Sequence, residues 1–168
     1  MKTRPADSPE TARRRIPFMA FSSVDDVLAF ALGREEEAVR MYHDLAGRAQ
    51  DEPVRAFLLE LEAEERHHAK LIAELRAGRT YSFKAGPVPD LGLTDGLVDE
   101  PLDEASRFQD VLISAAKREA QAVDLYTRLA QEAVHATHRD LFEFLAGQEK
   151  RHKLRLEKEY ESRIFAEF

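Results

Sequence analysis

Residues 24–76 of this 168-residue chain can be laid over residues 108–160 without a gap, at a constant offset of 84, and sixteen of the 53 aligned pairs are identical. Chance would give only a few. An internal repeat of this length constrains the fold before any other feature does. The chain is two copies of one supersecondary unit, and such a unit buries its apolar face against its neighbour. Glu35 falls on Glu119, Tyr42 on Tyr126, Glu65 on Glu149 and His68 on His152, while Ala38, Val39, Leu45, Ala46 and Leu61 also have identical counterparts.

Each copy reads as two helices. Ser23 is a suitable N-cap for the first, with Asp26 placed as in a capping box. That helix is expected over about 23–48, with an apolar stripe of Val24, Val27, Leu28, Ala31, Ala38, Val39, Tyr42, Leu45 and Ala46. Steps of three and four mark one helix face. The second helix starts near Asp51 and Pro53 and ends at Gly78, with Val54, Phe57, Leu58, Leu61, Ile72 and Leu75 on its stripe. The third is expected from about Asp103 to Val134, with Leu112, Ala115, Ala122, Tyr126, Leu129 and Ala133 inward. The fourth spans about Thr137 to Tyr160, with Phe142, Leu145 and Leu156 inward. Gly78 to Pro101 holds four of the seven glycines and three of the seven prolines, so it breaks helix.

These signals predict an all-α chain: an antiparallel four-helix bundle built from two duplicated hairpins, 23–77 and 103–160. A crossover over 78–102 runs the length of the bundle. Residues 1–22 are expected to form an arm and 161–168 a tail. The arm is basic, with Arg13, Arg14 and Arg15, and lacks the long apolar stretch of an export signal. No apolar run is long enough for a membrane helix. The net charge of −7 argues against nucleic acid as a partner. The absence of cysteine excludes disulfides, thiolate zinc sites and cysteine-held iron centres, and accords with a cytoplasmic location.

The chemistry lies in residues that break the apolar stripes. Glu35, Glu65, Glu119 and Glu149 each fall on the inward face of their helix. His68 and His152 follow Glu65 and Glu149 by three residues, so each pair projects from one face. Four carboxylates meeting in a core repel one another, and burying each unpaired costs several kcal/mol. Two divalent cations would balance four negative charges, with two neutral imidazoles completing the set. Imidazole with carboxylate suits iron, manganese or zinc, whereas magnesium and calcium prefer oxygen alone. One glutamate from each of two helices and Glu-x-x-His from each of the other two is the pattern of ferritin-like di-iron and di-manganese proteins.

The chain resembles the rubrerythrin branch of that superfamily over about residues 23–160. The resemblance is carried by Glu35-Glu36-Glu37-Ala38-Val39-Arg40-Met41-Tyr42 and its copy Glu119-Ala120-Gln121-Ala122-Val123-Asp124-Leu125-Tyr126. It is carried further by Glu65-Arg66-His67-His68 and Glu149-Lys150-Arg151-His152. It implies a di-iron centre bridged by Glu65 and Glu149, with Glu35, Glu119, His68 and His152 as terminal ligands. Tyr42 and Tyr126 would then hydrogen-bond the ligand carboxylates. It implies a reaction with peroxide or dioxygen, or oxidation of ferrous iron, and a homodimer that could exchange hairpins. The chain departs from rubrerythrins proper in two respects. Without cysteine it has no rubredoxin-like iron site, so an external donor would supply electrons. Ala122 stands where an extra glutamate would follow the ligand of the third helix. A non-catalytic metal-binding module holding zinc, manganese or iron is the alternative. The remaining histidines, His43, His67, His135 and His138, read as surface residues, as do Glu36, Glu37, Glu62 and Glu64. Glu62, one turn before Glu65, is the one of these that could reach an access channel. Phe165 and Phe168 are expected either on the end of the bundle or in a subunit contact.

Overall fold

The computed structural model describes residues 21–80, 87–96, 102 and 107–166. Four helices make up the bundle: α1 (Val24–Arg48), α2 (Glu52–Arg76), α3 (Phe108–Glu132) and α4 (Ala136–Ala166). A short 3-10 turn, Leu93–Gly96, lies in the crossover, and there is no strand among the described residues. Most of the expected arm, and the side chains of Phe165 and Phe168, fall outside the described residues.

Local chemistry sets the helix ends. The Ser23 hydroxyl accepts the Asp26 backbone N–H at 3.1 Å and starts α1. Pro53 occupies the first turn of α2, where its missing N–H costs nothing. Past the end of α2, Gly78 takes φ +83°, and two bonds close the turn: Gly78 N–H to Leu75 and Arg79 N–H to Glu74. Helix α3 begins at Phe108 rather than near Asp103: the preceding Arg107 is extended, and the Asp110 carboxylate accepts its backbone N–H at 2.9 Å. Residues 161–166, expected as the start of a tail, continue α4. The repeat is visible in detail. Arg55 donates to the Ala49 carbonyl at 2.9 Å and its counterpart Arg139 to the Ala133 carbonyl at 3.0 Å, tying each tight interhelical turn in the same way.

The two hairpins face each other antiparallel. Across α1 and α3, Tyr42 meets Glu119 and Tyr126 meets Glu35. Across α2 and α4, Glu60 meets Arg155 and His68 meets Glu149. The core therefore divides into two apolar plugs. One gathers Leu28, Ala31, Ile72, Tyr126, Leu129, Phe142 and Leu145 among others. The other gathers Tyr42, Leu45, Leu58, Leu61, Leu112, Ala115 and Leu156. The repeat exchanges them: Leu28 maps to Leu112, Tyr42 to Tyr126 and Leu61 to Leu145. Val24, expected on the stripe, is exposed at the start of α1. The crossover is pinned to α4 by an ion pair, Lys153 to Asp90 at 2.6 Å.

Leu61 and Leu145 are both fully buried, one in each plug. Each Leu→Ala change is expected to cost about 2–5 kcal/mol in urea unfolding of the metal-free protein. The double variant should cost their sum to within about 0.5 kcal/mol, because separate plugs do not share a cavity. A strongly non-additive double variant would contradict the division of the core.

Candidate metal centre

Between the plugs, where the apolar stripes are interrupted, all four helices present polar side chains inward. Glu35, Glu65, His68, Glu119, Glu149 and His152 are all at most 3% exposed. They form two overlapping sets, Glu35/Glu65/His68/Glu149 and Glu65/Glu119/Glu149/His152, and within each set one ligand atom per residue lies within 4.8 Å of the others. Glu65 and Glu149 belong to both sets, which places them on the axis between two positions. The imidazoles stack, with ring centres 5.4 Å apart, and both turn Nδ1 inward. His68 Nδ1 lies 3.1 Å from Glu65 and 3.0 Å from Glu149. His152 Nδ1 lies 2.8 Å from Glu65 and 3.4 Å from Glu149.

The tyrosines tie the halves together. Tyr42 on α1 donates its hydroxyl to Glu119 on α3, and Tyr126 on α3 donates to Glu35 on α1. Each tyrosine thus serves the outer glutamate of the other copy. Glu149 Oε1 is buried with no well-aligned hydrogen bond, and His68 Nδ1 faces it at 3.0 Å; a carboxylate oxygen and an imidazole nitrogen turned toward one another in such a site are where a cation would sit.

The electrostatics explain how this cluster survives in a core. Burial, reinforced by the charge of Glu149, pushes the carboxyls of Glu35 and Glu119 well above the usual carboxylate range. Burial acts on Glu149 in the same sense, but the facing His68 and His152 overcome it and hold that carboxyl well below its usual value. Glu65 is lowered against burial by hydrogen bonds from the same two rings. Burial disfavours charge on the imidazoles too, yet the carboxylates around them, Glu149 foremost, raise both well above the ordinary histidine range. Without metal, these shifts all act toward neutrality, driving Glu35 and Glu119 toward the acid form and His68 and His152 toward imidazolium while Glu65 and Glu149 are held toward the carboxylate. Two divalent cations carry the same charge as the four protons they would displace. The donor set therefore fits a pair of metal ions in both chemistry and charge.

Beside the cluster lies a cavity of about 20 Å³ whose lining includes Glu35, Glu119, Tyr126, Ala38 and Ala122. That is room for roughly one water-sized molecule. Its polar edge is formed by Arg34 and Arg118, themselves related by the repeat.

The Rubrerythrin family profile matches residues 26–160. The chain belongs to the rubrerythrin family. A solved hypothetical protein from Pyrococcus furiosus shares the fold at 24% identity and a TM-score of 0.63, covering 86% of this chain and 92% of that one. No curated protein matches the chain. The fold is accordingly the ferritin-like bundle expected from the repeat. Ala122, which stands where the resemblance implies a further glutamate, lines the cavity beside the cluster.

All six residues singled out in the sequence come together. Two glutamates read as solvated do not face water freely. Glu62 is buried and held by Arg66 at 2.5 Å and His43 at 3.3 Å, so it makes a surface ion cluster rather than a channel wall. Glu64 reaches across to α4, where its carboxylate accepts His152 Nε2 at 2.7 Å and Arg155 at 2.7 Å. The hydrogen bond from His152 holds Glu64 at a pKa of about 2. Nothing on the stripe of α2 marks Glu64, because its partners come from another helix. His67 is exposed, and His135, just before α4, meets His138 in the first turn of α4 edge to face, away from the centre.

Metal uptake at neutral pH is expected to release up to four protons, from Glu35, Glu119, His68 and His152, and to weaken as pH falls because protons compete for the same donors. Calorimetry in buffers of different ionisation enthalpy counts the protons. Uptake without proton release would refute this charge balance.

Proposed function

We propose that this chain is a di-iron carboxylate oxidoreductase that reacts with peroxide or dioxygen, or oxidises ferrous iron. The observation that carries the reading is the buried, repeat-symmetric donor set with a small cavity against its outer glutamates. In it Glu35, Glu119, His68 and His152, together with Glu65 and Glu149, which belong to both donor sets, would hold the two ions. A bound pair of redox-active ions supplies the electrons that reduce a small oxidant.

The protein's own contribution is positioning and exclusion. The tyrosine hydroxyls fix the outer carboxylates, a role that typically tunes a metal site. The two plugs pack apolar side chains against both ends of the cluster, and the cavity has room for roughly one water-sized molecule. Tyr126 lines that cavity. With no cysteine in the chain, reducing equivalents come from an external donor. One chain supplies both half-sites, so hairpin exchange is not needed to complete the centre, and the proposed homodimer packs through helix faces. No helix among the described residues is long and apolar enough to cross a membrane; a cytoplasmic site of action belongs to this proposal.

Ala122 and the missing built-in donor support a second reading, a metal-binding module holding zinc, manganese or iron without turnover. Zinc does not change redox state, so the metal retained on native purification under iron-replete conditions separates the two. The anaerobic ferrous protein is expected to consume about one equivalent of peroxide per metal pair. Glu65→Ala and Glu149→Ala should abolish that consumption. Unchanged consumption in either variant, or exclusive retention of zinc with no peroxide turnover, would sink the enzyme reading.

A further inference from the structure

The repeat makes the two metal positions look equivalent, but their surroundings are not. On one side His152 Nε2 lies 2.7 Å from Glu64, whose other oxygen is held by Arg155 at 2.7 Å. Arg155 also binds Glu60 at 2.7 Å and stacks over the Phe57 ring, with its guanidinium carbon 5.2 Å from the ring centre. The repeat equivalents on the other side are Gln148 for Glu64, Leu71 for Arg155 and Phe144 for Glu60. A chain of three charged groups is therefore replaced by an amide and two apolar side chains. Gln148 borders the depression beside His68 together with Glu64, and its amide oxygen takes a long hydrogen bond of 3.4 Å from Arg151.

We infer that the two metal positions differ in affinity, that the position served by His152 fills first, and that Glu64 is the positioning residue that makes it so. The inference rests on the proposal of a dinuclear centre. A carboxylate accepting the Nε2–H of a ligand histidine fixes the tautomer, leaves the Nδ1 lone pair facing the ion, sets the ring orientation and raises its basicity. His152 has that partner already in place. Glu64 is in turn fixed by Arg155, so little is left to order when metal arrives. A neutral amide at Gln148 gives His68 neither a full negative charge nor a partner held from across the bundle. The consequence is stepwise loading: one ion enters the His152 side, and the second completes the pair at the His68 side.

The test is titration of the full-length metal-free protein with cobalt(II), followed by calorimetry and by the visible ligand-field bands. Wild type is expected to take two equivalents in two resolved steps. Glu64→Gln should weaken the first step by about ten- to a hundredfold and leave the second nearly unchanged, since loss of such a partner typically costs that much. Gln148→Glu should tighten the second step, and the double exchange should reverse the order of filling. Proton NMR of the one-equivalent form supplies a signature that mere structural support would not move. The metal-shifted Nε2–H of His152 should exchange slowly with solvent in wild type and rapidly in Glu64→Gln. Equal weakening of both steps in Glu64→Gln, or no change in either variant, would overturn the inference while leaving the dinuclear centre intact. Failure of wild type to bind cobalt at all would overturn the dinuclear centre itself.

Discussion

The structure depends on one problem: four carboxyl groups and two imidazoles buried together in a medium that penalises charge. In the absence of ions the cluster meets it by sharing protons, with Glu35 and Glu119 pushed toward the acid form and His68 and His152 toward imidazolium. Such a compensation leaves Glu149 Oε1 facing His68 Nδ1 at 3.0 Å without a well-aligned hydrogen bond. Two divalent cations would carry the same compensating charge with fewer particles. Everything around the cluster serves to keep it intact: apolar plugs above and below, and two tyrosines that stitch α1 to α3 through the outer carboxylates.

Duplication explains why the centre is so regular. A hairpin carrying Glu, Tyr, Glu and His at fixed spacing provides half a site, and two such hairpins facing antiparallel provide the whole. The arrangement also makes each half dependent on the other. Tyr42 bonds to Glu119 and Tyr126 to Glu35, so neither hairpin satisfies its own buried groups. The divergence of the two copies includes the margin of the centre, in Glu64 against Gln148, Arg155 against Leu71 and Glu60 against Phe144, and in Lys153, paired with Asp90, where the other copy has Ala69. The donors stay matched while the residues behind them drift. That is the pattern expected if the donor set is held by chemistry and its neighbours are free to tune it.

The cavity at Ala122 bears on the same point. A glutamate there would occupy the space beside Glu119 and add a further negative charge to the cluster. With alanine the charge count stays at four carboxylates, and the volume is left to something small. Two arginines at its edge offset the acidity of the cluster below, while Glu37 lies 2.8 Å from Arg34 and 3.9 Å from Arg118. The counterpart of Glu37 is Gln121, so this mouth too is less symmetric than the centre beneath it.

By itself the sequence determined the repeat, the four helices and the six inward donors. The reason is that helix periodicity is local: a glutamate on an apolar stripe declares its own burial, and the offset of 84 declares its partner. It also contained Ser23 as a cap and Gly78 as a stop, because capping is decided within a turn. Only the tertiary structure decided what crosses between helices. The start of α3 at Phe108 and the run of α4 to Ala166 escaped the pattern, since helix ends are weakly marked where charged residues continue the chain. Glu62 and Glu64 read as surface charges on α2, yet one is buried in an ion cluster and the other orients His152. Their positions depend on how α2 lies against α1 and α4, and the packing of one helix on another is not written in the period of either.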